Sequence, residues 1–378
     1  MKHFDTIVVG IGGMGSAALW QLARRGQKVL GLERFDLGHG MGSSHGFNRI
    51  IRLAYFEHPS YVPLLRRAYE LWRETETLSG ETLLYVTGGL DAGLEDGRVV
   101  RGSLAACKAH DLPHEVLTGK EIARRFPGYR VPAYYAAVYQ PDAGFVASER
   151  AILTHAALAI AAGADIHGRE KVLALEPMQG RVVVVTDRAR YEAGRVVVSA
   201  GAWVSDLVPA LRSTAVPERQ VLGWFQPRKP ALFTPDVFPV SNLLTEFGHY
   251  YQFPIWGLPG FKIGLYHHLR EHGHADALSR EPTAADEEAL RQALRTIFPD
   301  ADGPTLRLAA CLFTNTPDEH FLIDTLPDHP EIVLASPCSG HGFKFASVIG
   351  EVLADLAVTG TSRMDLSLFS YARFPGLA

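Results

Sequence analysis

The sequence predicts an α/β fold in which a parallel sheet with flanking helices is joined to a second unit. Residues 4–32 place two apolar runs on either side of a glycine-rich turn and a helix, an order typical of a βαβ unit. A further strand, loop and helix are predicted over residues 331–358. Between these segments, residues 217–307 contain alternating aromatic runs such as HYYQF, which are typical of antiparallel strands.

Each element follows from its apolar periodicity and from the signals at its ends. Short apolar runs predict strands, and periodic segments that end at a glycine predict helices. The predicted strands cover residues 4–9, 28–32, 165–167, 182–186, 195–199 and 331–335. The predicted helices cover residues 16–25, 61–78, 149–163, 284–298 and 343–358. Residues 81–140 show only short strand-like pieces and turns.

The two α/β segments are predicted to share one sheet, so the remaining chain forms a second unit by insertion. We therefore predict one discontinuous domain formed by residues 1–80, 141–216 and 308–378. The second domain is predicted to consist of residues 81–140 and 217–307.

Composition limits the class of protein. The chain has 378 residues, of which 47% are hydrophobic and 21% are charged, as in ordinary globular proteins. Its 37 basic and 41 acidic residues give a net charge of −4, which argues against a nucleic-acid partner. Three cysteines are too few for a disulfide scaffold and favour a reducing compartment. We find neither a signal-peptide pattern nor an apolar run of about 18 residues, so we expect a cytoplasmic protein with no membrane partner.

A dinucleotide-binding pattern occupies the first turn. It follows a predicted strand, opens a helix and consists of Gly10, Ile11, Gly12, Gly13, Met14 and Gly15. The first glycine suits a tight turn, the second allows a pyrophosphate to approach the backbone, and the third allows helix and strand to pack closely. Glu33 ends the next strand, where its carboxylate can accept hydrogen bonds from both ribose hydroxyls. The pattern disfavours NADP but leaves FAD and NAD open.

Five separated motifs together resemble the family of monomeric sarcosine oxidases and N-methyl amino acid oxidases. They are the glycine turn, GSSHGFNRIIR at residues 42–52, VVVSAGAWV at 196–204, YYQF with GFKIG within 250–264, and the region from Cys311 to Lys344. The resemblance covers nearly the whole chain. It implies a Rossmann-like FAD-binding domain with an inserted α+β substrate domain built on a mixed, largely antiparallel sheet.

The resemblance also implies FAD as the cofactor and a set of residues that bind it. Besides the six residues of the turn and Glu33, this set contains Arg34, Gly42, Ser43, Ser44, Arg49, Ile50, Val172, Ala200, Gly201, Trp203, Cys311, Gly340, His341, Gly342, Phe343 and Lys344. In the family, a cysteine at the position of Cys311 forms an 8α-S-cysteinyl bond to FAD. Judged from the pattern alone, Cys311 reads equally as a small buried hydrophobe.

The same resemblance assigns roles in the reaction. Arg52 and Lys344 are implied to hold the substrate carboxylate, with Tyr55 and Glu57 beside them. The residues implied to act in catalysis are Lys262, which faces the flavin and activates oxygen, Arg49, Tyr251, and a histidine that is either His267 or His268. Asn48 and Phe313 depart from the family pattern, which has Thr and Tyr there.

We therefore expect an FAD-dependent oxidase of secondary amino acids, such as sarcosine or another N-methyl amino acid. Its products would be the demethylated amino acid, formaldehyde and hydrogen peroxide, and its partners the amino acid and O₂. A monomer is expected. Two alternatives are another flavin amino acid oxidase, of the D-amino acid, glycine or pipecolate type, and a non-catalytic redox sensor that binds a dinucleotide. The run HHLREHGH at residues 267–274 is read as a solvated turn, so no metal is expected.

Overall fold

The computed structural model describes residues 2–336 and 339–374. Its strands are β1 (Lys2–Val9), β2 (Val29–Leu32), β3 (Asn48–Ile51), β4 (Leu84–Val86), β5 (Gly89–Leu94), β6 (Glu115–Thr118), β7 (Tyr135–Gln140), β8 (Gly144–Ala147), β9 (Asp165–His167), β10 (Val172–Met178), β11 (Arg181–Thr186), β12 (Arg190–Val198), β13 (Val216–Phe225), β14 (Val240–Thr245), β15 (Gly248–Phe253), β16 (Phe261–Leu265), β17 (Thr305–Asn315), β18 (Leu322–Leu326) and β19 (His329–Ser336). The helices are α1 (Gly13–Ala23), α2 (Val62–Ser79), α3 (Arg98–His110), α4 (Gly119–Arg125), α5 (Ser148–Ala161), α6 (Val204–Leu207), α7 (Ala284–Ile297) and α8 (Ala346–Thr359).

The first sheet has a parallel centre in the order β9-β2-β1-β12-β19. Strands β10, β11 and β18 extend it through antiparallel pairs. Helix α1 packs against both α5 and α8 on one face. A Cβ on Gly350 of α8 would lie 2.5 Å from the carbonyl carbon of Ala17, so α1 and α8 approach closely there. This part matches the predicted βαβ unit and its C-terminal strand and helix.

The second sheet has the order β17-β13-β16-β15-β14-β5-β7-β6. Its neighbouring pairs are antiparallel except β14 with β5. Side chains alternate between its two faces. On β15, Tyr250 reaches α7, where its hydroxyl donates to Ala289 O at 3.0 Å, and Tyr251 points to the opposite face. A small third sheet joins β3, β8 and β4.

The predicted α/β class with a mixed second sheet is confirmed by these sheets. Most predicted elements are found within a few residues of their expected ends, as in α1, which begins at Gly13 instead of residue 16. The division into two domains stays a prediction. Its boundary at residue 308 falls inside β17, which pairs with β13 of the second sheet from Thr305 to Asn315, so this boundary is better placed after the strand.

Candidate active site

A single elongated cavity runs from the glycine turn after β1 to the face of the second sheet. The predicted site residues that line it are Gly10, Ile11, Gly12, Gly13, Met14, Glu33, Arg34, Gly42, Ser43, Ser44, Arg49, Ile50, Arg52, Val172, Ala200, Gly201, Trp203, Tyr251, Cys311, Gly340, His341, Gly342, Phe343 and Lys344. The predicted residues outside its lining are Gly15, Tyr55, Glu57, Lys262 and His267. The structure therefore places most of the predicted site residues around one cavity.

The glycines of the first turn serve different purposes in the structure. A Cβ on Gly15 would lie 1.8 Å from Gly10 O, so this glycine allows α1 to pack on β1. Gly10 has a φ of +87°, and its Cβ would lie 2.6 Å from Ser199 O. A Cβ on Gly12 would meet only Ser44 Oγ, at 3.8 Å. Gly12 thus leaves open space at the start of α1, where helical N–H groups favour an anion such as a pyrophosphate.

Glu33 is buried at the end of β2 and is held by two backbone donors. Ile11 N donates to its Oε2 at 2.8 Å, and Phe35 N donates to its Oε1 at 3.0 Å. A carboxylate has about four acceptor positions, so Glu33 retains acceptor capacity for a ribose. These residues fit the adenosine and pyrophosphate parts of FAD.

Arg34 and Trp203 are fixed beside Glu33 by a residue of the second unit. Arg34 donates to both carboxylate oxygens of Asp276, at 2.9 and 3.0 Å, and Trp203 Nε1 donates to Asp276 Oδ1 at 2.7 Å. Asp276 has no signal in the sequence that marks it as a site residue, because its role depends on a contact between distant segments.

Cys311 lies on β17, lines the cavity and is buried. Its Sγ lies 3.7 Å from Arg49 Nη2 and 3.7 Å from Ser43 O. Arg49 Nη2 also donates to Ser43 O, at 2.8 Å. The thiol therefore faces the cavity beside a cation, which suits a sulfur that must react as a thiolate. Cys338 lies outside the described residues.

Arg52 is buried in the cavity wall with its charge already balanced. Its Nη2 donates to both oxygens of Glu57, at 3.0 and 2.9 Å, and its Nε lies 3.5 Å from Asp91 Oδ1. Burial alone would raise the pKa of Glu57, but the Arg52 guanidinium lowers it to about 2. Glu57 is therefore ionised at neutral pH and occupies a donor that a substrate carboxylate would use.

Lys344 lies beside Arg52 in the same wall. Its Nζ donates to His341 O at 2.6 Å and to the Tyr55 hydroxyl at 3.4 Å. Burial and the charge of Arg52 lower the pKa of Lys344 to about 7. Burial likewise lowers the pKa of His341 to about 4, and its Nδ1 lies 2.6 Å from the Tyr55 hydroxyl. Tyr55 and Glu57 thus support the cations from behind the cavity wall.

Lys262 lies one layer behind the cavity instead of lining it. Its Nζ donates to Gly46 O, Asn48 O and Asn48 Oδ1 at 2.7–2.8 Å, and the Phe253 ring centroid is 4.1 Å from Nζ. Phe253 itself lines the cavity. The polar oxygens of the Gly46–Asn48 segment draw the ammonium away from the open space.

Neither histidine at 267 or 268 lines the cavity; Tyr266 does. His267 is a half-exposed residue with a φ of +53°, and its ring nitrogens contact Glu218 and Glu319 at 2.8 and 3.1 Å. His268 is buried and contacts Asp286 Oδ1 at 2.9 Å. Because side chains alternate along a strand, counting by two from Lys262 through Gly264 would have identified Tyr266.

Tyr266 belongs to an aromatic wall that sequence reasoning identified only in part. Its ring packs against Tyr251 and Phe313, with centroids 5.3 and 5.6 Å away. Asn242 and Phe253 also line this part of the cavity. A Cβ on Gly264 would lie 2.3 Å from the Tyr251 ring, so Gly264 leaves the space that this ring fills.

Within residues 2–336 and 339–374, no helix is long and apolar enough to span a bilayer. Over the same residues, no group of three or more His, Cys, Asp or Glu side chains is arranged to hold a metal ion.

Comparison with known proteins agrees with this geometry. The chain is 41% identical to monomeric sarcosine oxidase of Streptomyces avermitilis over 98% of its length and 97% of that protein. It is 37% identical to N-methyl-L-tryptophan oxidase of Yersinia pestis over 98% of its length and 99% of that protein. The solved structure of NikD, described as an unusual amino acid oxidase essential for nikkomycin biosynthesis, superposes with a TM-score of 0.84 at 28% identity, covering 98% of both chains.

The model of the family "FAD dependent oxidoreductase" matches residues 5–356, which include the glycine turn, Cys311 and both cations of the cavity wall. The chain therefore belongs to the family of FAD-dependent oxidoreductases.

Proposed function

We propose that this protein is an FAD-dependent oxidase of secondary amino acids, and of N-methyl amino acids in particular. The observation that carries the proposal is the placement of Arg52 and Lys344 in the same cavity as the glycine turn and Cys311. One cavity thus offers both a dinucleotide site and two cations for a carboxylate. The similarity to enzymes named sarcosine oxidase and N-methyl-L-tryptophan oxidase supports the amine as the reacting group.

The overall reaction takes an N-methyl amino acid, O₂ and water to the demethylated amino acid, formaldehyde and hydrogen peroxide. FAD held in the cavity would accept a hydride, which is two electrons and one hydrogen, from the C–H bond next to the amine nitrogen, and O₂ would take up the electrons with two protons as hydrogen peroxide. The chain itself binds and orients the substrate. An arginine fork and a lysine beside it hold a carboxylate through charge-assisted hydrogen bonds.

The aromatic wall excludes water around the amine. Tyr251, Phe253 and Tyr266 line this region, and burial raises the pKa values of Tyr251 and Tyr266 well above the ordinary value of a phenol. Neither phenol is therefore a base at neutral pH. Because neither phenol removes a proton from the amine, the reaction needs the neutral amine, whose lone pair supports the charge that develops on the carbon as hydride leaves.

Lys262 would favour the reaction with oxygen. Reduction of O₂ passes through a negatively charged species, which a preorganised positive charge stabilises. The Phe253 ring separates Nζ from the cavity by a single layer, so the charge acts at short range without contact with the substrate. Arg49, which lies against Cys311, would act at the same side of the cofactor.

We also propose that FAD is linked covalently through Cys311. The sulfur is buried, lines the cavity and lies 3.7 Å from the Arg49 guanidinium. The remaining parts of the proposal are a monomer, in keeping with the relatives named monomeric sarcosine oxidase, and a cytoplasmic location.

The experiment measures peroxide release from purified holoenzyme over a panel of N-methyl amino acids of increasing side-chain size. Each amino acid is paired with the amine that lacks its carboxylate. We expect oxidation of the amino acids and at least about tenfold lower kcat/KM for the amines, which corresponds to about 1.4 kcal/mol of lost binding. Equal rates for both members of each pair would rule out the carboxylate filter, and activity only with primary D-amino acids or glycine would replace the substrate class.

A further inference from the structure

The ammonium group of Lys262 is buried and, among the residues that the structure describes, is hydrogen-bonded only to uncharged oxygens. Nζ donates to Gly46 O at 2.8 Å, to Asn48 O at 2.7 Å and to Asn48 Oδ1 at 2.7 Å. An ammonium has three donors and no acceptor, so these contacts use all of them. None is left for water, the cofactor or oxygen unless one contact opens.

Two of the three acceptors belong to a backbone segment that is held from its other side. Gly46 N and Phe47 N donate to Glu149 Oε1 at 2.7 and 3.1 Å. The third acceptor is the side chain of Asn48, which is 1% exposed. It is the one contact of the ammonium that a substitution can remove and the one that a side-chain rotation can open.

The charged surroundings make this contact important. Burial lowers the pKa of Lys262 well below its ordinary value, and the charge of Arg49 on β3 lowers it further. Glu149 on α5 and the thiol of Cys311 on β17 oppose this effect. His45 also faces Lys262, and burial lowers the pKa of His45 to about 4, which leaves that ring neutral at physiological pH. Arg307 is a further cation near this group, since its guanidinium lies 5.5 Å from the Trp224 ring that Lys262 also faces.

We propose that Asn48 is a positioning residue that keeps Lys262 protonated and controls how far its ammonium is available to the cavity. The inference rests on the proposed role of Lys262 in the reaction with oxygen. It goes beyond that role, because it assigns the control of the charge to a side chain at which this sequence departs from the family pattern.

The first test needs neither substrate nor oxygen. Thermal unfolding is measured at pH 7 for the full chain carrying Asn48→Leu, Lys262→Met or both. Leucine has a similar size and no acceptor, so we expect Asn48→Leu to lower Tm by several degrees and by less than half as much when Lys262→Met is also present. Asn48→Thr, which keeps one oxygen, should recover most of the loss. If Asn48→Leu lowers Tm equally with and without Lys262→Met, the contact between Asn48 and Lys262 does not stabilise the protein and the proposal is wrong.

The second test follows reoxidation of the reduced holoenzyme by O₂ in a stopped-flow instrument as pH is varied. We expect Asn48→Leu to move the midpoint at which the rate falls to lower pH by about one unit, a tenfold change in the proton affinity of Lys262. Asn48→Asp adds a negative partner and should move the midpoint to higher pH. If Asn48 had only a structural role, the pH midpoints of the two variants would not move in opposite directions.

The two tests distinguish a wrong role for Asn48 from a wrong role for Lys262. If neither variant moves the midpoint, or both move it in the same direction, the role of Asn48 is wrong. If Lys262→Met is reoxidised as fast as the wild type, the oxygen role of Lys262 is wrong. In that case the coupling in Tm still decides whether Asn48 holds the ammonium.

Discussion

At the scale of single residues, three cations that line the cavity differ in the groups that balance their charge. Arg52 has two carboxylates in contact, whereas Lys344 bonds to neutral oxygens and Arg49 contacts a carbonyl and a thiol. An arginine that is already paired gains less from a substrate carboxylate than an unpaired one would, because its partner has to be displaced. On the proposed role of Arg52, we therefore expect the affinity for an amino acid to depend on Glu57 as well as on Arg52.

Replacing Glu57 with Gln should strengthen substrate binding. The amide keeps the shape of the carboxylate but releases the charge of Arg52 for the substrate. We expect apparent KM for an N-methyl amino acid to fall by roughly tenfold, or about 1.4 kcal/mol, with little change for the amine that lacks the carboxylate. Steady-state peroxide assays with both substrates check this. A KM that rises for the amino acid would show that Glu57 supports the site instead of competing in it.

Replacing Cys311 with Ser should leave the fold intact and the cofactor extractable. The hydroxyl is nearly isosteric with the thiol but is a far weaker nucleophile at neutral pH. After acid precipitation, we expect yellow colour in the wild-type pellet and in the supernatant of Cys311→Ser. Cys107→Ser is the matched control, since Cys107 is buried in α3 away from the cavity. Flavin that stays with the Cys311→Ser pellet would place the linkage elsewhere.

At the scale of elements, the turn after β16 connects the aromatic wall to the loop before β18. His267 in this turn contacts Glu218 on β13 and Glu319 in that loop. Glu319 O in turn lies 2.9 Å from His341 Nε2 in the cavity wall. One charged imidazole therefore links three segments, one of which contacts His341 in the cavity wall.

Removing this imidazole should reduce stability in a pH-dependent manner. Hydrogen bonds to Glu218 and Glu319 raise the pKa of His267 to about 9 from an ordinary value of 6.5. A raised pKa in the folded state means that the contribution is complete below pH 6.5 and disappears as pH rises through about 9. The ion pairs of His267 are partly exposed, so we expect His267→Gln to lower the free energy of unfolding by on the order of 1 kcal/mol at pH 6 and by little at pH 10. Urea unfolding at both pH values, with substitution of the exposed His329 by Gln as the control, measures this. An equal loss at both would indicate packing alone.

Local sequence signals predicted those elements that can be recognised without knowing which distant segments they pack against. The βαβ unit, α5 and α7 follow from apolar periodicity and end signals. Strand β17 was not predicted from the sequence, because Leu306 and Arg307 at its start are exposed and its apolar residues lie further along. The same distinction holds in the site. Motif positions such as Gly12, Glu33 and Arg52 were found, while Asp276 and Asn242 act only through contacts between distant segments.

At the scale of the whole molecule, residues of both large sheets line the cavity, so we expect a bound dinucleotide to contact both sheets. A ligand that binds only the folded chain stabilises it by about 2.7 kcal/mol at a concentration of one hundred times Kd. In Cys311→Ser, from which flavin can be removed, added FAD should raise Tm by several degrees. NAD at the same concentration should raise it less, and a larger shift with NAD would contradict the assignment of the cofactor.

Gly12→Val provides a sharp control for that experiment. The φ of Gly12 is −81°, and its Cβ would meet only one side-chain atom at 3.8 Å, so valine should disturb the unliganded fold little. The added methyl groups would fill the space next to the start of α1. In the Cys311→Ser background, we expect an almost unchanged Tm without ligand and no increase with FAD, measured by differential scanning fluorimetry. A normal increase would show that the pyrophosphate lies elsewhere.

The parallel sheet also has a consequence for how the chain is made. Lys2 of β1 pairs with Tyr191, and α1 packs on α8 near the end of the described chain. During synthesis the first strand and helix leave the ribosome long before their partners exist. Contacts so distant in sequence form slowly, and the apolar surface waiting for them is prone to association. A message truncated before α8 would therefore yield an aggregating product and not a smaller working enzyme.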